Sequence, residues 1–168
     1  MIQTQSFLWS PKFYIVLQVC FLTSLVSRTS FHTCLVRRTV EQVPIDDFEL
    51  PLGQAEVLFG GSDLTLLTWG TPVYHCEAAI HLLSYPPPAL ESVIPSSLRS
   101  AKIELIDLRS ILPWDVETIT ESVNRTGRLV IVHEAGMTAG VGAEVSAEVQ
   151  KRCFLKLNAP VKRVTGWE

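Results

Sequence analysis

Residues 102–136, KIELIDLRSILPWDVETITESVNRTGRLVIVHEAG, hold two apolar runs separated by a helical pattern. The first run, Ile103–Leu108, and the second, Arg128–Val132, each have the length expected of a buried strand. Pro113 prevents the first strand from continuing, because proline has no N–H to donate to a strand ladder. The stretch therefore predicts one strand, a connection and a second strand.

The connection between these strands shows the start, the buried face and the end of a helix. Asp115 is the predicted N-cap, since its carboxylate can accept a hydrogen bond from one of the first free helix N–H groups. Val116, Ile119 and Val123 recur at three- and four-residue spacing, which places them on one apolar face. Gly127 stands where a helix C-cap is expected. Strand, helix and strand in about thirty residues predict a βαβ unit whose strands are parallel.

The same alternation recurs on both sides of this unit. Asp63–Trp69 predicts a strand buried on both faces, and Val161–Thr165 predicts a last short strand. One helix is expected to begin with Thr71 as N-cap and Pro72 at the first position, and another to run from about Val141 to Phe154. The buried face of the first of these helices is predicted to consist of Cys76, Ala79, Ile80 and Leu83. We therefore expect an α/β fold, a three-layer α/β/α arrangement with a mostly parallel sheet of four strands and three helices.

Two stretches are predicted to be connections at the surface. Glu41–Leu58 is interpreted as an extended connector, because Pro44 and Pro51 exclude a helix and its acidic residues favour solvent. Ser84–Ser100 contains three consecutive prolines and several serines, which favour an extended and exposed conformer. We interpret it as a surface insertion, and an inert spacer is favoured over a motif that a proline-recognising partner would bind.

The charge distribution divides the chain near residue 40. The 168 residues carry 14 basic and 17 acidic side chains, a formal charge of −3, but residues 1–40 contain four basic residues and no acid. Residues 41–168 thus hold ten basic and 17 acidic residues, a charge of −7. No basic cluster indicates nucleic-acid binding. We interpret the two parts as different segments.

The amino-terminal segment, residues 1–40, contains the apolar block Phe13–Val26. Its 14 residues fall short of the roughly 20 needed to cross a bilayer, so a membrane anchor is disfavoured. As a targeting segment it could be a secretory signal, although only one lysine precedes the block and no clean cleavage pattern follows it, or a mitochondrial presequence, which fits the absence of acid but not so long an apolar block. A third interpretation is a retained intron translated in frame, that is, a gene-model artefact. Under it, residues 1–40 would pack poorly.

Cysteines and histidines give no metal signature. Cys20, Cys34, Cys76 and Cys153 are scattered without a closely spaced pair, and reduced intracellular thiols are the expected state. His32, His75, His81 and His133 are equally dispersed, and His75 and His81 are expected on the flanks of their helix. We predict no metal site.

Chemistry could reside at the end of the strand Arg128–Val132. His133 and Glu134 follow it directly, at the end of a parallel strand where open α/β sheets place functional groups. The pair could serve acid–base chemistry, although a capped strand end whose polar groups satisfy a loop is favoured. Met137–Gly142 is glycine-rich and could cradle phosphate before a helix, but it matches neither nucleotide-binding motif. Close helix–strand packing is the more economical interpretation.

Four segments carry a resemblance to a known family. EQVPIDDFELPLGQAEVLFGGSDLTLLTWGT, ELIDLRSILPWDVETI, TGRLVIVHEAGMTAGVGAEV and APVKRVTG resemble the carboxyl-terminal domain of beta subunits of 2-oxoacid dehydrogenase decarboxylases, which has the transketolase C-terminal fold. The segment VHEAGMTAGVGAEV is similar to the branched-chain members. The resemblance covers residues 41–168, about three quarters of the chain.

The resemblance implies the function of a larger enzyme. The family forms α2β2 assemblies that decarboxylate branched-chain 2-oxo acids on thiamine diphosphate and magnesium in the mitochondrial matrix, then pass the acyl group to a dihydrolipoamide transacylase core. Its beta subunit activates the cofactor with a glutamate of an amino-terminal pyrimidine-binding domain, which residues 1–40 are too short to hold. The carboxyl-terminal domain contributes contacts with the alpha subunit, a second beta subunit and the transacylase. No residue here therefore matches a catalytic, cofactor-binding or metal-binding residue, and the chain alone is expected to bind no cofactor.

Two departures from the family pattern accompany the resemblance. The chain ends before the family's aromatic, proline-rich tail, and Ser84–Ser100 is longer than the usual link. We expect an inactive fragment of the beta subunit of 3-methyl-2-oxobutanoate dehydrogenase (2-methylpropanoyl-transferring). The alternatives are a pyruvate dehydrogenase-type beta subunit, a non-catalytic assembly module, or a protein anchored to a membrane through residues 13–26.

Overall fold

The computed structural model describes residues 49–166. Strands in this range are β1 (Glu56–Phe59), β2 (Leu64–Thr68), β3 (Ile103–Asp107), β4 (Leu129–Val132) and β5 (Lys162–Val164). Helices are α1 (Pro72–Ser84), α2 (Ser96–Arg99), α3 (Val116–Thr126) and α4 (Val141–Cys153). The amino-terminal segment, with its apolar block Phe13–Val26, lies outside the described residues.

The strands form one sheet in the order β1-β3-β2-β4-β5. Strand β2 is parallel to both neighbours, with Leu66 opposite Leu105 of β3 and Val130 of β4. Strand β5 extends the parallel part, and only β1 is antiparallel within this sheet. The predicted βαβ unit is confirmed, although β3 and β4 do not pair directly, because β2 lies between them.

Helices cover both faces of the sheet. On one face, Leu64, Leu66 and Leu105 pack with α1 and α2. On the other face, Leu67 and Ile131 pack with α3 and α4. The predicted three-layer arrangement is thus confirmed. The stripe of α1 is buried at Cys76, Ala79 and Leu83 and half-buried at Ile80.

The sequence prediction missed β1. It treated Glu41–Leu58 as a surface connector, but the end of that stretch pairs with β3, with Glu56 opposite Asp107. The strand has only four residues and lies at the edge of the sheet, so its half-buried and exposed residues alternate and form no continuous apolar run. The interpretation of Glu41–Leu58 as a connector was therefore wrong for its last residues, and residues 41–48 lie outside the described range.

The proline-rich stretch Ser84–Ser100 is only partly a surface insertion. Pro87 and Pro88 are exposed, as expected. Ile94 and Leu98, in contrast, are almost completely buried against α1 and the sheet, and Leu98 belongs to the short helix α2. The stretch therefore completes one face of the core. The interpretation as a surface insertion was therefore wrong for its second half, and the preference for an inert spacer over a partner-binding motif at the three prolines stays a prediction.

The predicted helix ends hold for α3 and partly for α1. Asp115 accepts a hydrogen bond from the backbone N–H of Thr118 at 3.0 Å, and Gly127 ends α3 in the left-handed conformation (φ +69°). Pro72 opens α1 as predicted, but the Thr71 side chain makes no capping hydrogen bond. Proline's fixed φ and missing N–H already suit the first position, so the helix can begin without a side-chain cap.

A chain of polar groups is buried between the sheet and α3. Glu104 of β3 forms an ion pair with Arg125 and accepts a hydrogen bond from the Ser122 hydroxyl at 2.5 Å. The Ser122 oxygen lies 2.6 Å from Oγ1 of Thr65, which is 2.8 Å from Oγ1 of Thr126. Each buried hydroxyl on this face thus has a partner, which removes the cost of placing polar groups under a helix.

No helix within residues 49–166 is long and apolar enough to cross a membrane. The predicted interpretations of the apolar block Phe13–Val26 concern residues outside this range, and they stay predictions.

Asp115 joins β1 to the start of α3, and its removal is expected to destabilise the domain. Its carboxylate accepts hydrogen bonds from Thr118 N, Thr118 Oγ1 and, at 2.9 Å, Ala55 N. Asp115→Ala should lower the free energy of unfolding by about 2 kcal/mol, measured by urea denaturation. Glu121→Ala, which changes an exposed residue of the same helix, should alter it by less than about 0.5 kcal/mol.

The stabilisation by Asp115 should also depend on pH. Burial alone would raise the pKa of this carboxyl, but the hydrogen bonds from Thr118 and Ala55 outweigh burial and hold the pKa below its usual 3.8. A depressed folded-state pKa stabilises the fold above the unfolded value, and the effect is lost as pH falls through the folded value. The difference between wild type and Asp115→Ala should therefore shrink below pH 3.8, and a constant difference would contradict this assignment.

Candidate functional site at the carboxyl edge of the sheet

The carboxyl ends of the parallel strands meet at one edge of the sheet, and the loops there have unusual backbones. Three residues after β2, β3 and β4 have positive φ: Gly70 (+68°), Arg109 (+55°) and Ala139 (+57°). For Arg109 and Ala139 this left-handed conformation costs free energy, and such residues cluster at functional sites. The carboxyl edge is therefore the candidate location of a functional site.

His133, directly after β4, is the most unusual side chain at this edge. It is only 3% exposed, and its ring stacks on Trp69 with centroids 5.4 Å apart and planes inclined by 8°. Neither ring nitrogen has a hydrogen-bond partner among residues 49–166. A buried imidazole without a partner is costly, because its polar atoms lose water and gain nothing in exchange.

The ring of His133 is held by the glycine-rich start of α4. A Cβ placed on Gly142 would lie 2.4 Å from Nε2 of His133, and one on Gly140 would lie 2.9 Å from Cε1. Only residues without a side chain allow α4 to approach the ring so closely. The glycines of Met137–Gly142 thus serve close packing, as the sequence interpretation favoured.

The protonation of His133 is unfavourable in this environment. Burial lowers the pKa of the ring below its usual 6.5, the positive charge of Arg163 lowers it further, and the backbone of Ala135 opposes the shift. Arg163 lies on β5 and donates a hydrogen bond to the Met137 carbonyl oxygen at 2.8 Å. His133 is therefore neutral near pH 7.

Glu134 does not join His133 in an acid–base pair. The strand ends at Val132, and His133 is buried, whereas Glu134 lies in the bend that follows and is exposed. The backbone around them is satisfied: the His133 N–H donates to the Val164 carbonyl oxygen at 3.0 Å, and Gly166 N–H donates to that of Ala135 at 3.0 Å. Backbone hydrogen bonds order the strand end, so the favoured interpretation, in which polar groups there satisfy the loop, holds for the backbone groups and not for the two side chains.

The loop after β3 is tied to the chain that precedes β1. The Gly53 N–H donates to Oγ of Ser110 at 3.1 Å, and a Cβ on Gly53 would lie 3.4 Å from the Pro113 side chain. Arg109 forms an ion pair with Glu56. Large apolar side chains on these two joined segments are exposed, namely Leu50, Leu52, Ile111 and Leu112. We call these four residues the leucine surface.

Other candidate chemistry is absent from the described part of the chain. Residues 49–166 contain no group of three or more His, Cys, Asp or Glu side chains that could hold a metal ion. Cys76 and Cys153 are buried and are not joined by a disulfide, and burial raises the pKa of Cys153, which makes it a poor nucleophile. A groove of about 370 Å³ between α4 and the segment before β5 is lined by Phe154, Leu157 and uncharged neighbours.

Sequence reasoning singled out His133 but missed its surroundings. Trp69 was assigned to the end of a strand, and Arg163 only to the last strand. The alternation along the strands contained part of the signal, because Leu67 and Trp69, like Ile131 and His133, fall on the face covered by α3 and α4. The stacking itself depends on strand order, which sequence alone did not reveal.

The family profile described as "Transketolase, C-terminal domain" matches residues 53–168. This match includes every strand and helix described above. The chain belongs to the transketolase C-terminal domain family. Membership agrees with the mostly parallel, helix-covered sheet and confirms the fold that the sequence predicted.

Relatives of this family member include beta subunits of 2-oxoacid dehydrogenases. The chain is 49% identical over 135 residues to "2-oxoisovalerate dehydrogenase subunit beta, mitochondrial" of Chaetomium thermophilum, covering 79% of this chain and 26% of that protein. The chain is 46% identical over 134 residues to the protein of the same name from Dictyostelium discoideum, and the match covers 80% of this chain and 33% of that protein. The chain is 36% identical over 134 residues to "Pyruvate dehydrogenase E1 component subunit beta" of Mycoplasma pneumoniae, and the match covers 80% of this chain and 37% of that protein. The chain thus spans about a quarter to a third of the relatives' length.

The contact between Gly142 and His133 gives a direct prediction. Gly142→Ala would place its Cβ 2.4 Å from Nε2 of His133, so the ring or α4 must shift. Alanine favours a helix by up to about 1 kcal/mol, but overpacking typically costs about 1–3 kcal/mol. We expect a net loss of thermal stability, measured by calorimetry.

Gly60→Ala is the matched control, because a Cβ there meets no described atom within 4 Å. Its melting temperature should be unchanged. The cost of Gly142→Ala should also be largely relieved in a His133→Ala background, since the clashing ring is gone. Equal costs of Gly142→Ala in both backgrounds would show that the close contact does not matter.

Proposed function

We propose that this chain is part of the beta subunit of a branched-chain 2-oxoacid dehydrogenase, 3-methyl-2-oxobutanoate dehydrogenase (2-methylpropanoyl-transferring). The observation that carries the proposal is the difference in identity over nearly equal lengths. The chain is 46–49% identical to two 2-oxoisovalerate beta subunits and 36% identical to a pyruvate beta subunit. Residues 41–168 are the part that resembles the family's carboxyl-terminal domain.

Within such an enzyme, this domain serves assembly. The whole enzyme would use thiamine diphosphate and magnesium, and the resemblance assigns their activating groups to other domains. Two features of the carboxyl edge support a contact role: His133 is buried without an acid partner, and the leucine surface is exposed. The partners would be the alpha subunit, a second beta subunit and the dihydrolipoamide transacylase core, in the mitochondrial matrix.

The alternatives are a pyruvate dehydrogenase-type beta subunit and an assembly module without chemistry. The first is weakened by the lower identity to the pyruvate relative. An assembly module would associate with partner subunits without catalytic turnover, and the proposed function predicts the same behaviour for this chain alone. Upstream coding sequence separates them, because only a beta subunit would carry a pyrimidine-binding domain with its glutamate.

The first prediction of the proposal is that the 168-residue chain alone does not bind thiamine diphosphate. Activation of this cofactor requires a carboxylate within hydrogen-bond reach of the aminopyrimidine. Glu134, the acid beside the glycine-rich loop, is exposed and separated from the buried His133 ring. Calorimetric titration with thiamine diphosphate and magnesium should show no heat of binding. Saturable binding that Glu134→Gln abolishes would instead place a cofactor group on this loop.

The second prediction concerns association with a branched-chain alpha subunit. Leu112 belongs to the leucine surface and is 89% exposed, whereas Leu155 is 92% exposed just after α4. Helix α4 runs back from the carboxyl edge, so these two leucines lie at opposite ends of the domain. Leu112→Ser should weaken association about tenfold, because an exposed apolar anchor is lost, while Leu155→Ser should not. Sedimentation of mixtures of each variant with the alpha subunit would measure the association. Equal effects of the two substitutions would show that the leucine surface is not the contact with the alpha subunit.

A further inference from the structure

The buried imidazole at the carboxyl edge joins three parts of the fold. His133 directly follows β4 in the chain. Its ring stacks on Trp69, which follows β2, and contacts Gly142 in the first turn of α4. The loop Glu134–Gly140 connects β4 to α4. A change in this one ring therefore acts on the loop and on the start of α4 together.

The present geometry suits the neutral ring and not the charged one. Both nitrogens are buried, and neither has a hydrogen-bond partner among the described residues. A protonated ring has two N–H donors and a charge, and a buried charge without a partner is costly enough to drive local rearrangement. Water can reach the nitrogens only if the surrounding packing opens.

The backbone of Ala135 favours the protonated ring, but burial and the charge of Arg163 outweigh it, so the pKa of His133 is lowered overall. Arg163 of β5 adds a second positive charge nearby. The ring contacts Trp69, which follows β2, and Gly142 of α4, and neither residue titrates. The acids closest in sequence, Glu134 on the loop and Glu144 on α4, are both exposed.

We propose that His133 is a proton-operated latch. While it is neutral, its ring holds the loop Glu134–Gly140 and the first turn of α4 against Trp69. Protonation releases the ring, and the loop opens while the rest of the sheet stays folded. The proposal concerns the folding of this chain and does not depend on the proposed function.

The direction of the pH effect follows from the lowered pKa of His133. The opened loop has a ring with the ordinary pKa of 6.5, and the closed loop has a lower one. The closed loop is thus fully favoured above pH 6.5, and opening increases as pH falls below that value. Each further unit of pH raises the opening equilibrium by about tenfold, until the closed form also binds the proton.

Hydrogen exchange of the full chain tests the latch. After correction for intrinsic exchange rates, amides of residues 134–142 should open more at pH 5.5 than at pH 7.5, by at most about tenfold. Amides of α3 should show no such increase. A loop whose corrected exchange is independent of pH would overturn the proposal.

Variants identify the responsible histidine. His133→Phe keeps an aromatic ring that cannot be protonated, and His133→Leu avoids the larger ring beside Gly142; either should abolish the pH dependence. His81→Phe, which changes an exposed histidine of α1, should retain it. A dependence that persists in both His133 variants would overturn the proposal.

A direct measurement keeps the proposal testable even if these variants fold poorly. Nuclear magnetic resonance of the wild-type imidazole should show that His133 titrates below pH 6.5, accompanied by chemical-shift changes at Gly140 and Gly142. Titration at or above pH 6.5 would show that the closed site tolerates the charged ring, and the latch would be excluded.

Discussion

The complete burial of β2 is the constraint on which the rest of the structure depends. All five of its residues, LTLLT, are buried, and it has a parallel neighbour on each side. Parallel strands need crossover connections, which pass over the faces of the sheet and cover β2 from both sides. Burial of β2 also places the polar side chain of Thr65 beneath α3, away from water. The hydroxyls of Ser122 and Thr126 give Thr65 hydrogen-bond partners. The buried Thr68 hydroxyl of the same strand, in contrast, has no partner among the described residues.

The parts of the fold with local signals were predictable from the sequence. The cap at Asp115, the turn at Gly127 and the apolar strands each depend on a few neighbouring residues, and all three were confirmed. Strand β1 was missed because a four-residue edge strand is defined mainly by its partner β3. The burial of Ile94 was missed for a related reason: it lies in a stretch whose local composition favours solvent, while its contacts come from distant elements.

The candidate site was predictable only in its location. His133 was placed at the carboxyl end of a parallel strand, which follows from topology. Its state was not predictable, because burial of the ring depends on Trp69 from another strand and on close approach by α4. Gly142 permits that approach, but a glycine-rich loop is equally compatible with phosphate binding in sequence alone. The structure favours close packing, because a Cβ on Gly142 would lie 2.4 Å from Nε2 of His133.

Membership of the transketolase C-terminal domain family fixes the architecture but not the chemistry, because function resides in particular sites on a fold. In this domain, the strained residues Arg109 and Ala139 and the buried ring of His133 gather at one edge, while Glu134 faces solvent. An acid–base site requires a titratable side chain within hydrogen-bond reach of the proton that it transfers, and the His133 ring is buried in the packed interior. This edge instead combines a rigid, packed interior with exposed apolar side chains such as Leu112. Those properties favour contact with another protein surface over proton transfer, which is the division of labour that the proposed assembly role requires.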